Sequence, residues 1–187
     1  MRRFPAPGLL LLALALVLSA AGCSDAGETD TGGVELVLSD FDELPTLVSV
    51  NVAEELGLVS VGEIELESLI ENPDLGSSDL QTIELTRYEV RFSRNDTGTR
   101  VPPTLVDGLI GTVPPGGTTT LENLPILRSE QLQNPPLSDL LFVNGGFDRE
   151  TGSSVILLDI RLRFFGRTLG GRDVATSGQS FTVEFQP

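Results

Sequence analysis

The 187-residue chain contains no histidine, no lysine and no tryptophan, and its single cysteine is Cys23. Nucleophiles that depend on histidine are therefore excluded, as are Ser-Lys dyads and Schiff-base lysines. Zinc and iron sites that contain histidine are excluded for the same reason. One cysteine cannot close an internal disulfide. What remains is the chemistry of carboxylates, either in the hydrolysis of glycosides or in the coordination of calcium or magnesium.

Aromatic side chains are also scarce, and this scarcity bears on sugar chemistry. Sugar rings commonly stack on tryptophan or tyrosine, whereas this chain offers a single tyrosine, Tyr88. A carboxylate-only hydrolase is therefore disfavoured, although it remains the one enzymatic alternative that we retain. We expect a protein without enzymatic activity and without a cofactor.

The charge of the chain is strongly acidic. It carries 27 acidic and 12 basic residues, for a formal net charge of −15 at pH 7. The formal charge becomes −17 if Arg2 and Arg3 are removed with an N-terminal signal. Such a surface repels phosphate backbones, so nucleic acid is excluded as a partner. It also repels anionic membrane surfaces, so membrane contact is expected to depend on a covalent lipid or on divalent cations.

The first 22 residues have the organisation of an export signal. Arg2 and Arg3 supply positive charge, residues 9–18 form an uninterrupted apolar run, and residues 19–22 are small. A bilayer-spanning helix needs roughly 17 to 25 apolar residues, so a transmembrane segment is disfavoured. The sequence Leu-Ser-Ala-Ala-Gly-Cys-Ser around Cys23 resembles the lipobox of bacterial lipoproteins. The alternative is an ordinary small-residue cleavage site beside an unmodified cysteine.

The lipobox resemblance implies that Cys23 is acylated on its sulfur and becomes the first residue of the mature chain. Two or three acyl chains, at roughly 0.8 kcal/mol per buried CH₂, hold a protein firmly on a membrane. In proteobacterial lipoproteins, an aspartate directly after the cysteine favours the inner membrane. Ser24 holds that position here, so the resemblance favours the outer membrane.

The domain organisation follows from this N-terminal segment. The residues after Cys23 are small and acidic up to Gly33, and such a composition predicts a disordered tether. We therefore predict a signal peptide over 1–22, the lipidated cysteine with its tether over 23–33, and one folded domain over 34–187.

Period-two alternation of apolar and polar residues predicts strands along most of that domain. In the clearest run, 155–165, the apolar side chains that share one face are Ile156, Leu158, Ile160, Leu162 and Phe164. Further strands are predicted at 34–38, 47–52, 63–71, 81–93 and 180–186. The strand at 81–93 changes phase, because its apolar residues lie at odd positions up to Leu85 and at even positions from Tyr88. A β-bulge near Thr86 would turn both sets toward the core.

Short strands separated by Gly- and Pro-rich turns predict an all-β fold. We predict an antiparallel immunoglobulin- or fibronectin III-like β-sandwich with roughly 7–9 strands. At most one or two short helical turns are expected, within 127–142. The segments 83–96 and 164–185 resemble uncharacterised bacterial lipoproteins with such a sandwich, and this resemblance implies no known activity.

Asp40, Asp42 and Glu43 form the densest acidic cluster of the predicted domain. Their Asp-x-Asp spacing makes them the candidate metal ligands, with calcium as the ion that carboxylates suit. The cluster lacks the glycine and the distal glutamate of a calcium loop. Glu63, Glu65 and Glu67 alternate along one strand about 7 Å apart, a spacing typical of a solvated face.

The residues favour a lipid-anchored, non-catalytic cell-envelope protein that binds or scaffolds another envelope component. The alternatives are a calcium- or glycan-binding adhesive module and, more remotely, a carboxylate-only hydrolase. Because alternation commits the strand residues to packing, we expect loops to carry the binding residues. The candidate loops are 95–103, 111–118 and 144–153, and we expect at least two of them to cluster at one end of the sandwich.

Overall fold

Strands dominate the computed structural model, which describes residues 33–187. The strands of this part of the chain are β1 (Val34–Asp42), β2 (Leu47–Ser49), β3 (Leu58–Ile70), β4 (Ile83–Arg94), β5 (Leu105–Val113), β6 (Thr118–Arg128), β7 (Ile156–Thr168), β8 (Asp173–Ala175) and β9 (Gln179–Gln186). The helical elements are α1 (Val50–Leu56), α2 (Ser129–Leu132) and 3-10 turns at Pro73–Leu75, Asp79–Gln81, Leu137–Leu140 and Phe142–Asn144. The predicted all-β class is confirmed, and the helical turns expected within 127–142 are present.

The strands form two sheets that pack as a sandwich. One sheet has the order β1, β3, β6, and the other has the order β2, β9, β7, β4, β5, with β8 paired to β7. The pairings are antiparallel, as predicted, except that β2 lies parallel to β9. β2 and β9 are far apart in sequence, so no short hairpin fixes their relative direction. The hydroxyl of Tyr88 on β4 donates to the carbonyl of Pro125 on β6, at 2.8 Å, and joins the sheets.

β7 is the central strand of the larger sheet, with β4 on one side and β9 on the other. The alternation predicted for it is confirmed, because the five apolar side chains predicted to share its core face are fully buried. Phe164 stacks against Tyr88 with ring centroids 6.2 Å apart. The period-two pattern therefore predicted the core face of β7 correctly.

The bulge predicted near Thr86 is also confirmed. The pairing of β4 with both β5 and β7 shifts register between Leu85 and Arg87. As a result, Leu85 before the bulge and Tyr88 after it both face the core. The extra residue reconciles two alternation phases that a regular strand would turn to opposite faces.

The strand predicted over 47–52 is wrong in its second half, because β2 ends at Ser49 and α1 follows. Val50 and Ala53 are buried at the three-residue spacing of a helix face, whereas Val52 is 55% exposed. Gly57 ends the helix at φ +75°, and its N–H donates to the carbonyl of Ala53 at 2.8 Å. Tertiary packing thus overrides the strand preference of the valines.

The strand registers define two ends of the sandwich. We call the end that carries Val34, the first residue of β1, the near end, and the opposite end the far end. At the near end, Val34 of β1 lies opposite Ile70, and Ile83 of β4 lies opposite Thr168. Arg172 and Glu71 join the two sheets there through an ion pair of 3.2 Å.

At the far end, Leu58 lies opposite Arg128 in one sheet, and Arg94 lies opposite Leu158 in the other. The 13 residues of β3 run from the far end to the near end and span about 40 Å at roughly 3.3 Å per residue. The folded domain therefore begins, at Val34, on the end opposite to the one where α1 and α2 lie.

Candidate functional site

Two of the three candidate loops come together at the far end. The carboxylate of Glu150 accepts hydrogen bonds from the backbone N–H of Thr99 at 2.9 Å and from that of Arg100 at 3.0 Å. The hydroxyl of Thr99 also donates to it, at 2.5 Å. These bonds tie 95–103 to 144–153, as expected. The third loop, 111–118, joins β5 to β6 at the near end and lies apart from them.

Beneath these loops lies a buried network of charged side chains. Asp148 is at its centre, with a fully buried side chain. Its carboxylate binds Arg94 and Arg100, each at 2.9 Å. Arg94, whose side chain is 3% exposed, also binds Asp96 at 2.6 Å. Arg100 reaches Asp139 of the turn Leu137–Leu140 at 2.7 Å, so one network links three segments of the chain.

The network and the loop hydrogen bonds hold Asp148 and Glu150 in the charged form. Burial by itself would raise the pKa of Asp148, but this effect is outweighed by hydrogen bonds from the Glu150 N–H, Arg94, Thr151 and Arg100, which lower the pKa to about 2. The hydrogen bond from the Thr99 hydroxyl and those from the backbone N–H groups of Arg100 and Thr99 lower the pKa of Glu150 to about 2. These carboxylates are therefore committed to arginine and backbone donors, and the network serves to fix the loops.

The pKa of Asp148 gives the stability of the domain a defined pH dependence. A carboxyl group whose folded-state pKa lies below its unfolded value stabilises the fold above the unfolded pKa, and this stabilisation is lost as the pH falls through the folded pKa. For Asp148 the window runs from about pH 4 down to about pH 2. We expect this group to contribute about 2 kcal/mol at neutral pH, from the shift of its pKa.

Urea unfolding at several pH values between 7 and 2 measures this contribution. We expect Asp148→Asn to be less stable than wild type at neutral pH and to lose less stability than wild type below about pH 4. Asp173→Asn changes a carboxylate that is 88% exposed and should keep the wild-type slope. An unchanged slope in Asp148→Asn would show that this group does not titrate in that window.

The predicted acidic cluster is divided between a strand and the turn after it. Asp40 and Asp42 lie on β1, opposite Glu65 and Glu63 of β3, and the four side chains line a surface depression of about 70 Å³. Glu43 follows the strand at φ +52° and does not line the depression. Within residues 33–187, no group of three or more acidic or other metal-binding side chains is placed to hold a metal ion.

Cys23, the predicted lipidation site, lies outside the described residues. None of the helices within 33–187 has the length and apolar character needed to cross a membrane.

An apolar groove also lies at the far end. It is lined by residues of β2, α1 and the start of β3, and it has a volume of about 360 Å³. Its rim exposes large aliphatic side chains, with Leu56 at 71% exposure and Leu47 and Val52 at 55% each. Next to α1, the backbone N–H of Phe142 donates to the side chain of Asn51 at 3.1 Å. The apolar rim therefore adjoins the turn Phe142–Asn144, which the ion network anchors through Asp139.

Neither the ion network nor the groove is predicted from the sequence. Both depend on contacts between distant segments, such as that of Arg100 with Asp148, for which one sequence gives no signal. The lack of strand alternation over 144–153 does predict the loop that carries Asp148 and Glu150.

Comparisons with known proteins add little to this picture. No family model matches the chain, and no curated protein matches it. The solution structure of a protein from Arabidopsis thaliana aligns with 89% of this chain and 87% of its own, at 12% identity and a TM-score of 0.35. A TM-score of this size establishes neither a shared fold nor a shared function.

Proposed function

We propose that this protein is a lipid-anchored, non-catalytic component of the cell envelope that binds another envelope protein through the far end of its sandwich. The observation that carries the proposal is the placement of the two ends. The chain enters the domain at Val34, on the near end, whereas the fixed loops and the apolar groove lie about 40 Å away on the far end.

In this proposal, the N-terminal segment determines which end of the domain lies nearer to the membrane. Acylation of Cys23 would leave ten residues before Val34, which extend to at most about 35 Å. The membrane would then face the near end, and the far end would be free to meet a partner. The net charge of the mature chain repels anionic lipid and so keeps the domain off the membrane surface. Ser24 after the cysteine supports the outer membrane as the location.

Rigid loops support a binding role. Side chains held in one geometry lose little conformational entropy when a partner binds, so fixed loops favour affinity. The buried network of Arg94, Arg100 and Asp148 supplies that rigidity at the far end. The missing histidine and lysine support a role without catalysis.

Substitution of Cys23 tests the anchor. We expect the wild-type protein to fractionate with membranes and to carry a lipid mass on its N-terminal residue, because acyl chains hold it there. We expect Cys23→Ala to be released or left unprocessed. Ser24→Ala is the matched control, since it changes the neighbouring residue and keeps the thiol. An unmodified cysteine on the mature wild-type protein, determined by intact mass, would contradict the proposal.

A further inference from the structure

The apolar groove is formed by β2, α1 and β3, and exposed aliphatic side chains line its rim. Val52, Ala53 and Leu56 of α1 face it from one side, and Leu58 and Val59 of β3 face it from another. The groove has the volume of a small binding pocket, near the lower end of the roughly 300 to 1,000 Å³ range. Exposed aliphatic side chains gathered around one depression are typical of a surface that a partner covers.

Acidic side chains lie on the elements that form or adjoin the groove. Glu54 and Glu55 lie on α1 itself, and Glu184 of β9 lies opposite Leu47 in the strand register. Glu130 lies on α2, which contacts α1. The basic side chain nearest in register, Arg128 opposite Leu58, is paired with Asp107. These side chains, in a chain whose formal net charge is −15, make the surroundings of the groove attract cations and repel anions.

We propose that the groove binds an apolar segment of the partner protein that is flanked by lysine or arginine. This inference rests on the proposed function for the existence of an envelope partner, and it adds the chemistry of the contact. The apolar part of the segment covers Val52 and Leu56, while its basic flanks lie against Glu54 and Glu55. An anionic lipid and a second copy of this acidic chain are both disfavoured, because each brings negative charge to a negative rim.

Tryptophan fluorescence gives a direct assay, because the protein contains no tryptophan. Two synthetic peptides share one apolar centre with a single tryptophan, and they differ only in having lysines or glutamates at both ends. We expect the lysine-flanked peptide to shift to shorter emission wavelength with the purified full-length protein. We expect it to bind at least about tenfold more tightly than the glutamate-flanked peptide at low salt, with the difference shrinking as salt is raised.

Variants assign the binding to the groove. We expect Leu56→Asp to weaken binding of the lysine-flanked peptide by at least about tenfold, because it places a charge on the apolar lining. The side chain is largely exposed, so folding should be retained and is checked by circular dichroism. Leu75→Asp is the matched control, since Leu75 is 55% exposed at the near end, and it should bind normally. The double variant Glu54→Gln and Glu55→Gln should reduce the preference for lysine flanks.

Three results would overturn the proposal: equal binding of the two peptides, normal binding by Leu56→Asp, or capture of phosphatidylcholine vesicles through Leu56 without peptide binding. In each case, lipidation and membrane fractionation through Cys23 remain separate measurements. A negative result in the peptide assay therefore contradicts only the groove proposal and leaves the proposed envelope function unaffected. A wild-type protein that is soluble and unmodified contradicts the envelope function, whatever the result of the peptide assay.

Discussion

Replacement of Ile160 by Asp is expected to unfold the domain. Ile160 is fully buried at the middle of β7, where it lies opposite Phe92 of β4 and Phe181 of β9. An uncompensated buried charge costs about 3 to 5 kcal/mol, and the lost burial of the isoleucine side chain adds about 1.5 to 3 kcal/mol. Together these terms approach or exceed the total stability of many domains, roughly 5 to 15 kcal/mol. Circular dichroism with urea unfolding measures the loss.

Arg161→Glu is the control, because Arg161 is the next residue on the same strand and faces solvent. Its guanidinium donates to the carbonyl of Ser177 at 2.7 Å and lies in register with Arg91. Loss of an exposed contact of this kind should change the free energy of unfolding by less than about 1 kcal/mol. Comparable damage from the two substitutions would contradict the assignment of the two faces of β7.

Replacement of Arg94 by Ala is expected to be the second most damaging change. The side chain of Arg94 is 3% exposed and binds both Asp96 and the fully buried Asp148. Its removal leaves buried carboxylate oxygens without one of their charged donors, which costs about 3 to 5 kcal/mol. Because Asp148 also binds Arg100, part of its pairing survives, and the expected loss lies near the lower value.

Arg172→Ala supplies the comparison, because it removes one partner of an exposed ion pair with Glu71 at the near end. The side chains of this pair are 57% and 50% exposed, so its loss should cost less than about 1 kcal/mol. Hydrogen exchange should also show faster exchange of the Thr99 and Arg100 amides in Arg94→Ala than in wild type. If Arg94→Ala is as harmless as Arg172→Ala, the network does not fix the loops.

The parts of the fold that the sequence predicted are those that depend on local periodicity. The alternation of neighbouring residues predicts both the buried face of β7 and the bulge near Thr86, and tertiary packing favours the same conformation. β1 was also found, although it extends to Asp42, beyond the predicted end at residue 38. A local irregularity between Leu38 and Asp40 hid its continuation, because it breaks the alternation.

The sequence analysis did not include β5 and β6 among the predicted strands. Other parts that the sequence did not predict depend on distant contacts. Residues 47–52 fit a strand by composition, and only their packing against the rest of the domain selects the helix that begins at Val50. The network around Asp148 joins residues up to 54 positions apart in the chain, as in its bond with Arg94. No spacing rule relates such positions. The sequence therefore predicts where the loops lie but not which side chains hold them in place.

The network also determines how the far end should be probed. Replacement of a whole loop would remove Arg100 or Asp148 and would destabilise the domain together with its surface. Single exposed side chains avoid this problem. Val143 is 89% exposed at the far end, and Leu169 is 50% exposed at the near end.

Site-specific photo-cross-linking in living cells, from Val143 and from Leu169 of the membrane-anchored protein, tests most directly whether the far end meets the partner. A photoreactive amino acid is placed at one position at a time, and adducts are identified by mass spectrometry in the membrane fraction. We expect a reproducible adduct with one envelope protein from Val143 and none with that protein from Leu169. Adducts from Leu169 alone, or equal adducts from both positions, would contradict a binding surface at the far end.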